Sequence, residues 1–107
     1  MRKLDLTNYQ WAQKVQNPVL GSVETITLPY LVKDSILNLL FLPDLRLAGA
    51  ALVRQNVLAM KIEQADGAIL LEEEEYQRVR AAAEAYKAQS RADVALIDRI
   101  LNKTPEN

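Results

Sequence analysis

The block from Ile36 to Leu42 constrains the fold more than any other part of this 107-residue sequence. Six of its seven residues are apolar, and only Asn38 interrupts them. A helix that is apolar on all sides must be buried on several of them. Pro43 ends the block, because proline lacks the backbone donor that a helix needs. We therefore predict a short helix at the centre of the fold, capped by Asp34 or Ser35, part of which can face another subunit.

Two segments before this helix show the alternation of β-strands. Residues 23–28 are β-branched and alternating, a good strand pattern. Residues 3–11 also alternate, but the pattern changes parity midway, which predicts a bulge near Thr7–Asn8 if the segment is one strand. Asn17–Pro18 supplies turn residues between the two segments. We predict an N-terminal antiparallel β-hairpin, with a possible third short strand near 68–71.

Three more helices are predicted, at about 49–64, 72–88 and 91–101, from apolar residues spaced three and four apart. The first of them carries a broad apolar stripe, formed by Leu52, Val53, Val57, Met60 and Ile62. The last begins at Ser90–Asp93, which resembles a capping box. The predicted fold is a mostly helical α+β domain in which the hairpin packs on about four helices. It spans residues 1–102, and the polar tail 103–107 is expected to fray.

The residue types that are missing argue against catalysis. The sequence contains no cysteine and no histidine. Thiolate chemistry, iron–sulfur clusters and the common zinc and triad sites are therefore excluded. The acidic run Glu72–Glu75 would point its carboxylates in different directions on a helix, and it suits the positive N-terminal end of that helix. We expect no enzyme activity, no metal site and no cofactor.

Charge and hydropathy limit the partners. No apolar segment approaches the roughly 18 residues that span a bilayer, and no signal-peptide core follows Arg2 and Lys3. The net charge is −1, with a balance of +2 over residues 1–54 and −3 over residues 55–107. A duplex-DNA binder normally has a clear basic face. We expect a soluble, cytoplasmic protein that binds neither membrane nor duplex DNA.

Three of the six aromatic residues, Tyr9, Trp11 and Tyr30, lie in or beside the predicted hairpin. Aromatic and basic residues on a small sheet can stack bases and contact phosphates. Large aromatic residues in a small domain more often serve packing or an interface. Arg46 and Arg54 flank the start of the second helix and can contact an anion or simply solubilise it. We treat these five residues as candidate ligand or partner contacts, and Ile36, Leu40 and Phe41 as candidates for an oligomer interface.

Three blocks of the sequence resemble small uncharacterised proteins encoded in tailed-phage genomes or prophages. They are residues 4–9, residues 28–41, and residues 70–76 together with 90–94. The resemblance covers most of the chain and includes no functional signature. It implies a viral or prophage origin, and hence the cytoplasm of a host cell.

Two functional hypotheses follow. The first is a non-catalytic, homo-oligomeric phage-type protein that acts by binding, in virion assembly or against a host protein. The alternative is a protein that binds and sequesters a nucleotide-like signal at a subunit interface.

Overall fold

The computed structural model describes residues 1–16, 18–19, 21–87 and 91–105. These residues form four strands and four α-helices, an α+β arrangement with an N-terminal antiparallel hairpin that confirms the predicted fold class. In chain order they are β1 (Arg2–Asp5), β2 (Tyr9–Gln16), β3 (Val23–Tyr30), α1 (Val32–Leu40), α2 (Ala50–Gln64), β4 (Ala68–Leu71), α3 (Glu73–Ala85) and α4 (Ala92–Asn102), with a short 3-10 turn at Pro43–Leu45 between α1 and α2.

The strands form two separate antiparallel ribbons, β1 with β4 and β2 with β3. The predicted strand over residues 3–11 is therefore two strands in different ribbons, and the change of parity near Thr7–Asn8 marks the break between them. The predicted strand near 68–71 is present, but it pairs with β1 and does not extend the β2–β3 hairpin.

Polar contacts fix this break in place. Arg99 donates from Nη1 to the carbonyl oxygens of Asp5, at 3.1 Å, and Thr7, at 2.8 Å. Oδ1 of Asn8 accepts the backbone N–H of Val32 at 2.9 Å. The polar groups between the two strands are therefore hydrogen-bonded to α4 and α1. Because these groups are satisfied, the chain can pass from one ribbon to the other at this point.

Helix α1 lies at the centre of the core, as the apolar block predicts. Val32, Ile36, Leu39 and Leu40 are buried, and they belong to the same apolar cluster as core side chains of α2, α3 and α4. The helix begins four residues earlier than the apolar block. Asp34 and Ser35 are inside it and do not cap it, because Asn8 supplies the acceptor for its first free N–H.

Helix α2 presents a different face to the core from the one the sequence predicts. Its buried residues are Gln55, Leu58, Ala59 and Ile62. Of the predicted stripe only Ile62 is buried, while Leu52, Val53, Val57 and Met60 are exposed. Gln55 tolerates burial because its Nε2 donates to the carbonyl oxygen of Leu40 at 3.0 Å, where α1 ends. The outer face of α2 is consequently an unpartnered apolar surface.

The acidic run before α3 forms a capping box. Glu72 accepts the backbone N–H of Glu75, and Oε1 of Glu75 accepts the backbone N–H of Glu72 at 2.9 Å. Lys61 of α2 donates to the same carboxylate at 2.8 Å. These carboxylates therefore start the helix and tie it to α2. The capping box predicted at Ser90 lies outside the described residues.

The C-terminal segment does not fray as far as residue 105. Thr104 is buried, and its Oγ1 donates to the carbonyl oxygen of Arg99 at 2.8 Å. Its own carbonyl oxygen accepts Nη1 of Arg2 at 2.9 Å. The guanidinium of Arg2 also pairs with Glu73 and lies 4.1 Å from the ring centre of Tyr76. One arginine on β1 thus joins the end of α4 to the start of α3.

Candidate functional site

The β2–β3 hairpin, which we call the arm, is the most distinctive surface of the molecule. Its two eight-residue strands are paired in full register, from Tyr9 with Tyr30 to Gln16 with Val23. Among its strand residues only Tyr30 is buried, and Tyr9 and Trp11 are half-buried. All the others are exposed. The molecule is elongated and measures 54 × 30 × 23 Å. The arm is a two-stranded ribbon, and most of its side chains are exposed.

The two faces of the arm differ in polarity. Cross-strand partners share a face, and faces alternate along each strand. One face carries Tyr9, Trp11, Gln13, Val15, Glu24, Ile26, Leu28 and Tyr30; the other carries mainly Gln10, Lys14, Gln16, Thr25 and Thr27. On the first face Ile26 is 42% exposed and Leu28 is 37% exposed. The arm therefore offers an apolar surface that nothing in the described part of the chain covers.

A tyrosine pair attaches the root of the arm to α4. The rings of Tyr9 and Tyr30 are stacked, with centres 4.5 Å apart and planes 10° from parallel. The hydroxyl of Tyr9 donates to the carbonyl oxygen of Ala92, and the hydroxyl of Tyr30 donates to Oδ1 of Asp93 at 2.6 Å. The guanidinium of Arg99 lies 5.4 Å from the ring centre of Tyr9. The rings of Tyr9 and Tyr30 thus pack against each other and bond to α4. Packing is one of the two roles that the sequence suggests for these aromatic residues.

Asp93 is the centre of this attachment, and the sequence does not single it out. Its Oδ2 accepts the hydroxyl of Tyr86 at 2.7 Å, so one carboxylate holds the arm and the end of α3 together. A cavity of about 160 Å³ adjoins it, lined by Tyr30, Ser35, Asn38, Tyr86 and Asp93 with three apolar side chains. Pockets that bind drug-sized ligands are about 300–1,000 Å³. The cavity therefore has room for water or a very small molecule, but not for a nucleotide.

The tyrosines at the root are poor candidates for acid–base chemistry. Burial raises the pKa of Tyr30 well above its usual value, and the hydrogen bond to the Asp93 carboxylate raises it further. Burial also raises the pKa of Tyr9. Near neutral pH a general base must be unprotonated, and a general acid must release its proton readily. Both hydroxyls remain protonated there, and they act as hydrogen-bond donors that hold the arm.

The raised tyrosine pKa values predict that the arm detaches in alkali. A detached tyrosine ionises near pH 10, whereas the docked rings ionise only at higher pH. Docking is therefore fully stable below about pH 10 and weakens as the pH rises towards the raised values. Trp11, the only tryptophan, lies beside this pair and reports on it: its emission should shift to the red above about pH 10.

The control for this titration is the double variant Tyr9→Phe with Tyr30→Phe. It lacks the two ionising groups and also their hydrogen bonds to Ala92 and Asp93. Its Trp11 emission should therefore be shifted to the red already at neutral pH and should not change further in that pH interval. A parent protein whose emission is unchanged up to about pH 12 would contradict the role given to the pair.

Trp11 lies in a shallow groove along the outer side of β2. The groove has a volume of about 610 Å³ and is lined by Trp11, Ala12, Gln13, Lys14 and Arg91. Lys14 is three residues after Trp11 on β2. Arg91 comes from the start of α4, and only the fold brings it to the arm. Lys14 lies on the opposite face of the arm from Trp11, so the pair that suits a stacked, anionic ligand is the indole of Trp11 with the guanidinium of Arg91.

Arg46 and Arg54 lie in another part of the molecule, in the segment from the end of α1 to α2. Arg46 follows the 3-10 turn with a φ of 51°, and its backbone N–H donates to the carbonyl oxygen of Pro43 at 3.0 Å. Arg54 lines a separate groove of about 270 Å³, to which Glu74 and Arg78 also contribute. The structure therefore does not bring these arginines together with Tyr9, Trp11 and Tyr30 into one site.

The three candidates for an oligomer interface have different surroundings. Ile36 and Leu40 are fully buried in the core of the chain itself, so a second subunit cannot reach them in this fold. They are enclosed because α1 packs against α2 and α3. An apolar sequence alone does not show whether such a helix is covered by its own chain or by a second subunit. Phe41, at the end of α1, is 40% exposed, and for this residue the interface stays a prediction.

Searches for relatives found no matching protein-family model, no matching curated protein and no matching solved structure. Among the residues that the structure describes, no helix combines the length and the apolar character needed to cross a membrane.

Proposed function

We propose that this chain is a non-catalytic, homo-oligomeric protein of phage type, active in the host cytoplasm, which works by binding in virion assembly or to a host protein. The observation that supports the proposal is the arm. An isolated two-stranded hairpin is at best marginally stable in water. This arm nevertheless presents Val15, Ile26 and Leu28 to solvent on one face, and burial against a second copy would remove that apolar surface from water.

The chemistry of the site also favours binding over catalysis. The hydroxyls of Tyr9 and Tyr30 are held protonated, and the carboxylate of Asp93 accepts the hydroxyls of Tyr30 and Tyr86. The tyrosine pair instead fixes the root of the arm to α4, and the apolar ribbon extends from this attachment. Such a part can add area and hydrogen-bonding backbone edges to an assembly.

Light scattering on variants of β3 tests the proposal. The parent should have a mass of at least twice the 12.0 kDa of one chain. Replacing Ile26 and Leu28 with aspartate places charges in the apolar face, and we expect this variant to be monomeric. The matched control replaces Thr25 and Thr27 with aspartate. These residues alternate with the first pair on the same strand but face the other way, so the control should keep the mass of the parent.

A parent that has the mass of one chain at high micromolar concentration would refute self-association. Equal masses for the two aspartate variants would show that self-association does not depend on the apolar face of the arm.

A second candidate function, sequestration of a nucleotide-like signal, is favoured by the groove that Trp11 shares with Lys14 and Arg91. A base could stack on the indole while the guanidinium of Arg91 contacts a phosphate. The stack of Tyr9 on Tyr30 argues against a larger aromatic platform, since these rings already contact each other. Titration of mono-, di- and cyclic nucleotides decides between the functions. Saturable quenching of Trp11 emission that Arg91→Ala weakens would favour sequestration.

A further inference from the structure

The outer face of α2 is the second large apolar surface of the chain. Val53 is 64% exposed, Val57 is 57% exposed, and Leu52 and Met60 are also exposed. Residues 53, 57 and 60 are spaced four and three apart, so their side chains form one continuous stripe. The stripe lies opposite the buried face of the helix. It is the kind of face by which a helix normally packs against another element.

This stripe continues into a groove between α2 and β4. The groove has a volume of about 560 Å³, and its lining includes Val57 and Met60 on one side and Ala68 and Leu70 on the other. Leu70 is itself half-exposed. Among the described strands β4 pairs with β1 alone, so β4 has an edge on which another strand can be added. An apolar wall beside a free strand edge is suited to receive an extended, apolar ribbon.

The arm and this receptor agree in length and polarity. Eight residues of strand extend about 27 Å, and the 15 residues of α2 extend about 22 Å. The apolar face of the arm carries one acidic residue, Glu24, next to Val15 in register. Arg54 borders the apolar stripe with the opposite charge, whereas Lys61, seven residues further along the same side of α2, is already paired with Glu75 at 2.8 Å.

We propose that the arm of one copy packs into the α2–β4 groove of the next copy, with its apolar face against Val53, Val57 and Met60. This inference rests on the proposed self-association, and it specifies the surface of the next copy to which the arm binds. Contact between two arms would leave the stripe on α2 exposed in every subunit. Packing of arm into groove covers both apolar surfaces with a single type of contact. Because the two surfaces differ, the contact is head-to-tail, and it produces a closed ring or an open filament.

Complementary variants test this contact. The arm variant carries Ile26→Asp and Leu28→Asp and keeps an intact groove. The groove variant carries Val57→Asp and keeps an intact arm. Each should be monomeric by light scattering, since a charge in such a contact should weaken association by roughly 30-fold or more. When the two are mixed, one intact arm meets one intact groove. The mixture should therefore form a 1:1 dimer of twice the 12.0 kDa chain mass.

The matched control is Val94→Asp on α4, where the valine is 58% exposed, nearly the same as Val57. It should fold, as judged by circular dichroism, and keep the mass of the parent. The same measurement on Val57→Asp verifies that its helices are intact, and Val57→Lys provides a second charge at the position if aspartate disturbs α2.

The outcomes separate this inference from the proposed function. A monomeric arm variant together with a groove variant that assembles like the parent would overturn the head-to-tail contact and leave arm-mediated self-association standing. Two monomeric variants that stay monomeric on mixing would also overturn it, because a contact between like surfaces cannot be rescued by mixing. A monomeric parent would overturn both proposals.

Discussion

Replacing Leu40 with alanine is expected to lower the free energy of unfolding by about 2–5 kcal/mol, the usual cost of truncating a buried leucine. Leu40 is fully buried in α1, among core residues of the three other helices. The small residue would leave a cavity that the surrounding helices cannot easily close. Since the total stability of a small domain is only about 5–15 kcal/mol, the melting temperature and the yield of folded protein should both fall clearly.

The matched control for this core substitution is Leu52→Ala. Leu52 is 44% exposed on α2, so its truncation should change stability by less than about 0.5 kcal/mol. Denaturant unfolding followed by circular dichroism measures both variants. If Leu40→Ala unfolds at the same denaturant concentration as Leu52→Ala, α1 is not the centre of the core.

Replacing Asp93 with alanine should release the arm from the helical body. The substitution removes a charged acceptor from two tyrosine hydroxyls, and each such hydrogen bond contributes about 1.5–3 kcal/mol. Tyr30 would then keep a buried hydroxyl without this acceptor. Because only Tyr30 of the two belongs to the arm, we expect a loss of about 1.5–3 kcal/mol in the free energy that holds the arm, seen as a red shift and broadening of Trp11 emission.

Asp98→Ala on the same helix is the control for this release. The Asp98 side chain is 43% exposed and contacts only surface groups, Asn102 and Lys103. Its removal should leave the Trp11 emission unchanged. Should Asp93→Ala and Asp98→Ala give the same spectrum, the carboxylate of Asp93 is not what holds the arm.

The elements of this fold could be predicted from the sequence where local pattern decides the structure. The α+β class, the hairpin and helices near 49–64, 72–88 and 91–101 follow from periodicity and turn residues. The start of α1 could not be predicted in this way. Its first N–H is capped by Asn8, from a distant part of the sequence, and no local pattern distinguishes that from a cap at Asp34.

The orientation of α2 was wrongly predicted for a related reason. Hydrophobicity favours the side with Val53 and Val57 as the core side. The structure instead buries Leu58, Ala59 and Ile62 together with Gln55. The side chain of Gln55 is satisfied there because its Nε2 donates to the carbonyl oxygen of Leu40 at the end of α1. Tyr9 and Tyr30 could be selected as candidates from residue type, but their partners Asp93 and Ala92 come from α4 and become visible only in three dimensions.

The position of β1 has a consequence for folding during synthesis. Ribosomes add about 5–20 residues per second. The partners of Arg2 are synthesised much later than Arg2 itself, since Glu73 follows it by 71 residues and Thr104 by 102. The arm closes over a short loop, so its strands can pair as soon as β3 has emerged, although such a hairpin is only marginally stable before α4 exists to hold its root. The nascent chain therefore exposes the apolar face of the arm before its own body is complete. In a polysome, neighbouring nascent chains would carry the same segment at high local concentration, so the proposed self-association would begin before any chain has been released.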